Sequence, residues 1–136
     1  MDNKKIIIIV EDDVFLSDIY QTKFTEAGYE CLLAQDGQRC LSLLESGVKP
    51  YVILLDIVMP KMDGLELLTF LKSDEKYKDI SVILLSNLGQ DTDIKKGLEL
   101  GALDYMIKAH YTPSEAVKKV EDILTKSDLR PLNPAG

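Results

Sequence analysis

Three stretches of the chain are almost entirely apolar: Ile6 to Val10, Tyr51 to Leu55 and Val82 to Leu85. They do not alternate between apolar and polar residues, which is typical of strands covered on both faces of a parallel sheet. Cys31 to Ala34 and Tyr105 to Ile107 are shorter and more mixed, as expected of strands at the edges of a sheet. The pattern therefore predicts five strands, three of them central.

Segments with helical spacing separate and follow these strands. They are predicted at Val14 to Ala27, Gln38 to Ser46, Gly64 to Lys72, Asp91 to Leu100 and Pro113 to Lys126. Gly28 and Gly47 follow the first two, and glycine suits the left-handed residue that ends a helix. Thr112 and Glu115 flank the start of the last helix at the spacing of a capping box. Five strands alternating with five helices predict an α/β fold, a doubly wound parallel sheet with helices on both faces.

Acidic residues follow two of the central strands. Glu11, Asp12 and Asp13 come directly after the first, and Asp56 comes directly after Leu55. In open sheets of this class, ligands bind outside the carboxyl ends of the strands. Clustered carboxylates repel one another, and burial raises that cost, so they remain ionised together only beside a cation. The sequence therefore predicts a divalent metal next to a reactive aspartate.

Ser86 and Lys108 follow the fourth and fifth strands and are expected at the same end of the sheet. A hydroxyl and an ammonium facing a carboxylate and a metal suit the binding of phosphoryl oxygens, because donors and positive charge surround a dianion. Taken alone, Ser86 could equally be a turn hydroxyl and Lys108 a solvated lysine.

The composition narrows the class of protein. The chain has 136 residues, the size of one domain, and its 16 basic and 23 acidic residues give a net charge of −7. This charge argues against nonspecific binding to nucleic acid or to an anionic membrane. The apolar stretches are too short to span a bilayer, and the start of the chain does not resemble a signal peptide, so we expect a cytoplasmic protein. Cys31 and Cys40 are expected to be reduced structural thiols, and His110 a loop residue without a catalytic role.

Several motifs occur together in a characteristic order. They are Val10-Glu11-Asp12-Asp13, Leu54-Leu55-Asp56, Met59-Pro60, Met62-Asp63-Gly64, Ser86, Gly101-Ala102 and Asp104-Tyr105 with Lys108. Over residues 4 to 126 the chain resembles the receiver domain of the two-component response regulator family, as in its stand-alone chemotaxis regulators. The resemblance implies a flavodoxin-like fold with strand order 2-1-3-4-5. It divides the chain into a receiver at 1–126 and a flexible tail or linker stub at 127–136.

The resemblance also implies a site. Asp56 would be the phosphoacceptor, and Mg²⁺ would be held by Asp12 and Asp56 directly, by Glu11 through water and by the backbone carbonyl of Val58. Magnesium suits such a site because it takes one or two carboxylates together with waters and phosphate oxygens. Asp13 is expected to cap the first helix instead of binding the metal.

The same resemblance implies the roles of the remaining residues. Lys108 and Ser86 would bind phosphoryl oxygens, and Ser86 together with Tyr105 would form the conformational switch. The partners would be a histidine kinase or histidine phosphotransfer protein and an unidentified output protein, with no direct binding of nucleic acid or membrane. The chain would be a monomer or a phosphorylation-dependent homodimer, and it would catalyse only its own phosphorylation and dephosphorylation.

Three positions depart from the family pattern. Ala109 follows Lys108 where the family usually has a proline after a cis peptide, and Asn87 and Leu88 follow Ser86 where a small residue is common. We expect the Lys108-Ala109 peptide to be cis despite its cost, because Lys108 must reach the phosphoryl oxygens.

Two alternative functions remain open from sequence. If Ala109 misplaces Lys108, the chain would be a phosphorylation-independent adaptor. A Mg²⁺-dependent phosphohydrolase with an aspartyl phosphate is a weaker alternative, because Val58 stands where such enzymes usually carry a second aspartate.

The first helix carries more apolar residues than a core-facing stripe needs. Phe15, Leu16, Ile19, Tyr20 and Phe24 span about 180° of its circumference. One edge of this set is therefore expected to remain exposed and, by the resemblance, to contact the phosphodonor.

Overall fold

The computed structural model describes residues 4–59 and 62–128. It contains one parallel sheet whose strands lie in the order β2-β1-β3-β4-β5, as the resemblance implied. The strands are β1 Ile6–Val10, β2 Glu30–Ala34, β3 Val52–Asp56, β4 Ser81–Ser86 and β5 Asp104–Ile107. The helices are α1 Val14–Glu26, α2 Gly37–Glu45, α3 Gly64–Ser73, α4 Asp91–Glu99 and α5 Pro113–Asp128, with a 3₁₀ turn at Lys108–His110. All ten predicted elements are present, with ends shifted by no more than two residues.

The apolar central strands divide their side chains between two cores. Ile7 and Ile9 lie on one face of the sheet, against a layer formed by α1 and α5, while Ile8 and Val10 lie on the other face, against α2, α3 and α4. Successive side chains of a strand point to opposite faces, so a strand with helices on both sides must be apolar throughout. The edge strands are more mixed in burial, and Glu30 in β2 is exposed.

Local capping signals set several helix ends. Gly28 and Gly47 have φ values of 102° and 105°, in the left-handed region predicted for them. The backbone N–H of Thr112 donates to the Glu115 carboxylate at 2.8 Å, and the backbone N–H of Glu115 donates to the Thr112 hydroxyl at 3.2 Å, which completes the predicted capping box. Asp13 accepts from the backbone N–H of Leu16 at 3.2 Å and caps α1, as expected.

The two predicted thiols are not joined in a disulfide. Cys31 and Cys40 are free and buried, and burial raises the pKa of each thiol to about 12.

α5 continues to Asp128, two residues beyond its predicted end, while residues 129–136 of the predicted tail lie outside the described residues. None of the described helices is both long enough and apolar enough to cross a membrane.

Candidate functional site

Parallel strands bring the predicted acidic residues together at one end of the sheet. β1 pairs directly with β3, and Val10 lies opposite Leu55. The residues that follow them, Glu11 and Asp56, therefore emerge side by side. One carboxylate oxygen from each of Glu11, Asp12 and Asp56 lies within 4.8 Å of the other two.

Lys108, which follows the edge strand β5, reaches this cluster across the carboxyl ends of the strands. Its ammonium donates to Glu11 Oε2 at 2.7 Å and to Asp56 Oδ2 at 3.1 Å. The Lys108 side chain is 17% exposed, whereas those of Glu11 and Asp56 are 1% and 3% exposed. Poor access to water makes both contacts stronger than surface ion pairs and makes an unpaired charge costly.

The predicted cis peptide between Lys108 and Ala109 is wrong. No cis peptide bond occurs in residues 4–59 and 62–128. The 3₁₀ turn at Lys108–His110 redirects the backbone after β5, and the lysine reaches Asp56 through a trans peptide. The chain thus avoids the roughly 2.5–4 kcal/mol that a cis bond before a non-proline residue costs.

The pKa values of the cluster reflect burial and close charges. Burial raises the pKa of Glu11 from its ordinary 4.5 to about 7, the hydrogen bond from Lys108 opposes this rise, and the charge on Asp56 adds to it. Burial alone would lower the pKa of Lys108, but its hydrogen bond to Glu11 and the charges of both acids raise it. Lys108 therefore stays charged at neutral pH.

The donor set fits a hard divalent cation. Three carboxylates converge on one point, and Lys108 supplies one positive charge to them. Asp12 is exposed, so the cluster is open to solvent on that side. Mg²⁺ prefers oxygen ligands and keeps several waters, which requires such an opening. Val58 is also exposed, and its backbone N–H donates to Asp56 Oδ1 at 3.3 Å, so its backbone lies close to the Asp56 carboxylate.

Ser86 ends β4 beside Asp56, but its hydroxyl is engaged elsewhere. Asp56 lies opposite Leu85 in the β3–β4 pairing, so Ser86 is the next residue along β4. Its side chain is fully buried. Its Oγ lies 2.7 Å from the Asn87 carbonyl and 3.1 Å from Gln90 Oε1, on the side of α4. Gln90 was not among the residues predicted to form the site, and its position directly before a helix is the one signal that could have marked it.

Tyr105 on β5 is 37% exposed and borders a groove of about 510 Å³. The groove lies between α4 and β5 and is lined by Asp91, Ile94, Lys95, Leu98, Glu99, Tyr105 and Ile107. The tyrosine therefore lies at the surface on the side of the sheet to which the Ser86 hydroxyl is turned. Asn87 and Leu88, the other departures from the family pattern, are both exposed.

The structure also shows which apolar side chains of α1 are exposed. Phe15 is 84% exposed and Ile19 is 44% exposed, whereas Tyr20 and Phe24 are buried in the core under α1 and α5. Leu16 is partly buried. The predicted exposed edge is confirmed, and it begins four residues after Glu11.

Comparison with known proteins identifies the family. Residues 7–121 match the model of the response regulator receiver domain. The probable transcriptional regulator ycf27 of Cyanophora paradoxa is 35% identical over 126 residues, which cover 93% of this chain and 51% of that protein. The phosphate regulon transcriptional regulatory protein PhoB of Pseudomonas aeruginosa is 36% identical over 123 residues, covering 90% of this chain and 53% of that protein. The chain thus spans about half the length of these curated relatives.

A solved structure of a phosphorylated cyanobacterial phytochrome response regulator, RcpA, superposes with a TM-score of 0.80 at 27% identity. The alignment covers 91% of this chain and 96% of RcpA. The strand order, the family model and these relatives all indicate the same family. The chain belongs to the response regulator receiver domain family of two-component systems.

Proposed function

We propose that the chain is a phosphorylation-controlled signalling switch that accepts a phosphoryl group on Asp56 from a histidine kinase or a histidine phosphotransfer protein. The observation that carries this proposal is the convergence of Glu11, Asp12, Asp56 and Lys108 at the carboxyl ends of the strands. The phosphorylated state of RcpA, a relative of the same fold, supports it.

Two contacts orient the Asp56 carboxylate, which supports its proposed role as the phosphoacceptor. One carboxylate oxygen contacts the backbone N–H of Val58 and the other contacts Lys108, so the group is held in a fixed orientation. In the transfer, an Asp56 oxygen bonds to phosphorus while the phosphorus–nitrogen bond of a phosphohistidine breaks and the imidazole keeps the electron pair. Lys108 would then donate to a phosphoryl oxygen, where a positive charge stabilises the charge on the transferring group.

Glu11, Asp12, Asp56 and the carbonyl of Val58 would hold Mg²⁺. Bound there, the ion would offset the combined charge of the carboxylates and the incoming phosphate. Glu11, which Lys108 contacts directly, would support the ion through water, as the family resemblance implies.

The contact between Lys108 and Asp56 favours this function over a phosphorylation-independent adaptor. The adaptor alternative requires Ala109 to misplace the lysine, yet the Lys108 ammonium lies 3.1 Å from the Asp56 carboxylate. The relatives are described as transcriptional regulators, and this chain spans about half of each. The proposed role of the chain is therefore the input step of such a regulator, which is phosphoryl uptake and the surface change that follows it.

Incubation with acetyl phosphate and Mg²⁺, followed by intact mass measurement, tests the proposal. We expect one added phosphoryl group on the wild type and none on Asp56→Asn or in the presence of a chelator. Asp12→Ala should fold normally and bind Mg²⁺ more weakly, since it loses a ligand but also relieves repulsion between carboxylates. Undiminished labelling of Asp56→Asn would refute the acceptor assignment, and steady turnover of a small phosphoester would indicate a phosphohydrolase instead.

A further inference from the structure

The loop after β4 contains a small hydrogen-bond network centred on Gln90. Gln90 Oε1 accepts from the backbone N–H of Asn87 at 2.8 Å and lies 3.1 Å from the Ser86 hydroxyl. The Asn87 N–H can only donate, so the side-chain atom that faces it must be the amide oxygen. The orientation of Gln90 is therefore fixed, and Ser86 faces an acceptor.

The Ser86 hydroxyl has a single hydrogen, which two acceptors share: the Asn87 carbonyl at 2.7 Å and Gln90 Oε1 at 3.1 Å. Both of its neighbours in the network, Gln90 Oε1 and the Asn87 carbonyl, belong to the loop that leads into α4. Ser86 is fully buried, so water is not at hand as a substitute acceptor. To donate to a phosphoryl oxygen on Asp56, the hydroxyl must leave this loop.

We propose that Gln90 is a positioning residue that, together with the Asn87 carbonyl, holds the Ser86 hydroxyl on the α4 side in the unphosphorylated protein and so opposes the switch. This inference rests on the proposed phosphorylation of Asp56. When Ser86 turns to the phosphoryl group, Gln90 keeps its bond to Asn87, so the side chain is not left unpaired. The start of α4, which Gln90 immediately precedes, then loses its side-chain tether to β4.

The bond should make a measurable difference to phosphoryl binding. A complete neutral hydrogen bond changes an equilibrium constant roughly two- to tenfold, and Gln90 supplies the longer arm of a shared bond, so we expect an effect of about twofold. Gln90→Met keeps the length of the side chain but removes the amide oxygen. The fold should tolerate it, because Asn87 is exposed and its N–H can bond to water, while Ser86 retains the Asn87 carbonyl.

The experiment is a double-mutant cycle with beryllofluoride, a non-covalent analogue of the phosphoryl group, titrated calorimetrically in the presence of Mg²⁺. Gln90→Met should bind the analogue about twofold more tightly than the wild type. In the Ser86→Ala background, which lacks the hydroxyl, the same substitution should leave the affinity unchanged. Gln90→Glu offers a stronger, charged acceptor and should weaken binding more in the wild type than in Ser86→Ala.

The outcomes separate the two proposals. Equal effects of Gln90→Met with and without Ser86, or no effect in either, would overturn the role of Gln90, since a purely structural change would not depend on the hydroxyl. A wild type that binds no beryllofluoride while remaining folded would overturn the phosphoacceptor function itself, and the inference about Gln90 with it.

Discussion

The ammonium of Lys108 lies 2.7 Å from Glu11, closer than its 3.1 Å contact with Asp56, although Lys108 follows β5 and Glu11 follows β1. Two strands, β3 and β4, lie between β1 and β5 in the sheet. The lysine thus bridges the carboxylate that would support the metal and the carboxylate that would accept the phosphoryl group. The stability of the protein should therefore depend on the charge of Glu11.

The first prediction concerns pH. Because burial raises the pKa of Glu11 from 4.5 to about 7, the folded state holds a proton between these values that the unfolded state has lost. Without metal, the free energy of unfolding should therefore fall as pH rises from 4.5 to 7. Glu11→Gln, which mimics the protonated acid, should match the wild type near pH 4.5 and exceed it at pH 7.5 by on the order of 1–3 kcal/mol.

Urea unfolding of both proteins with a chelator, at several pH values, provides the measurement. If the free energy of unfolding falls with pH as steeply in Glu11→Gln as in the wild type, a group other than Glu11 titrates.

The second prediction concerns Gly64, at the start of α3. A Cβ atom there would lie 2.2 Å from the backbone oxygen of Asp56 and 2.8 Å from Ile57 Cα. Both are backbone atoms that cannot rotate away, so Gly64→Ala must displace the turn that carries Asp56. We expect a loss of about 1–3 kcal/mol in the free energy of unfolding and slower labelling by acetyl phosphate.

Gly28→Ala is the matched control. Gly28 has a φ of 102° and no atom within 4 Å of an added Cβ, so the substitution adds backbone strain but leaves the site alone. Its thermal stability should fall while its labelling rate stays normal. If Gly64→Ala has the same free energy of unfolding and the same labelling rate as the wild type, the close approach to Asp56 has no functional consequence.

The third prediction concerns Phe15, the most exposed large apolar side chain on α1. Phe15→Gln should slow phosphoryl transfer from a histidine kinase or phosphotransfer protein roughly tenfold, as expected when a buried aromatic contact of an interface is lost. Transfer from acetyl phosphate should be unchanged, because a small donor needs no docking surface. Quenched transfer assays with both donors give the comparison.

Phe70→Gln provides the control for this experiment. Phe70 is 43% exposed on α3, across the sheet from α1. Phe70→Gln should leave the rates of transfer from the protein donor and from acetyl phosphate unchanged. Equal slowing of both donors by Phe15→Gln would contradict a docking role.

The fourth prediction concerns the coupling of Ser86 to Tyr105. In the wild type, binding of beryllofluoride should draw the Ser86 hydroxyl inward and bury Tyr105, which is now 37% exposed. In Ser86→Ala, Asp56 should still be labelled by acetyl phosphate, but Tyr105 should stay exposed. Side-chain NMR of the tyrosines, with the remote Tyr77 as an internal reference, reports the change. Burial of Tyr105 in Ser86→Ala would show that the hydroxyl is not the coupling element.

Much of this protein was predictable from its sequence because the relevant signals are local. The apolar stretches fixed the central strands, since a strand covered on both faces needs apolar residues at successive positions. Gly28, Gly47 and the Thr112–Glu115 pair marked helix ends, and their bonds lie within one turn of the chain. The place of Asp56 at a strand end followed from the same pattern.

Only the tertiary structure decided which side chains of the site contact one another. The trans peptide after Lys108, the contact of its ammonium with Glu11 and the turning of Ser86 toward Gln90 each depend on distances between separate elements. Helical spacing showed that α1 had too many apolar residues, but only packing against the sheet and α5 left Phe15 outside. The period of a pattern is set by the backbone, whereas the partner of a side chain is set by what the fold brings within a few ångströms of it.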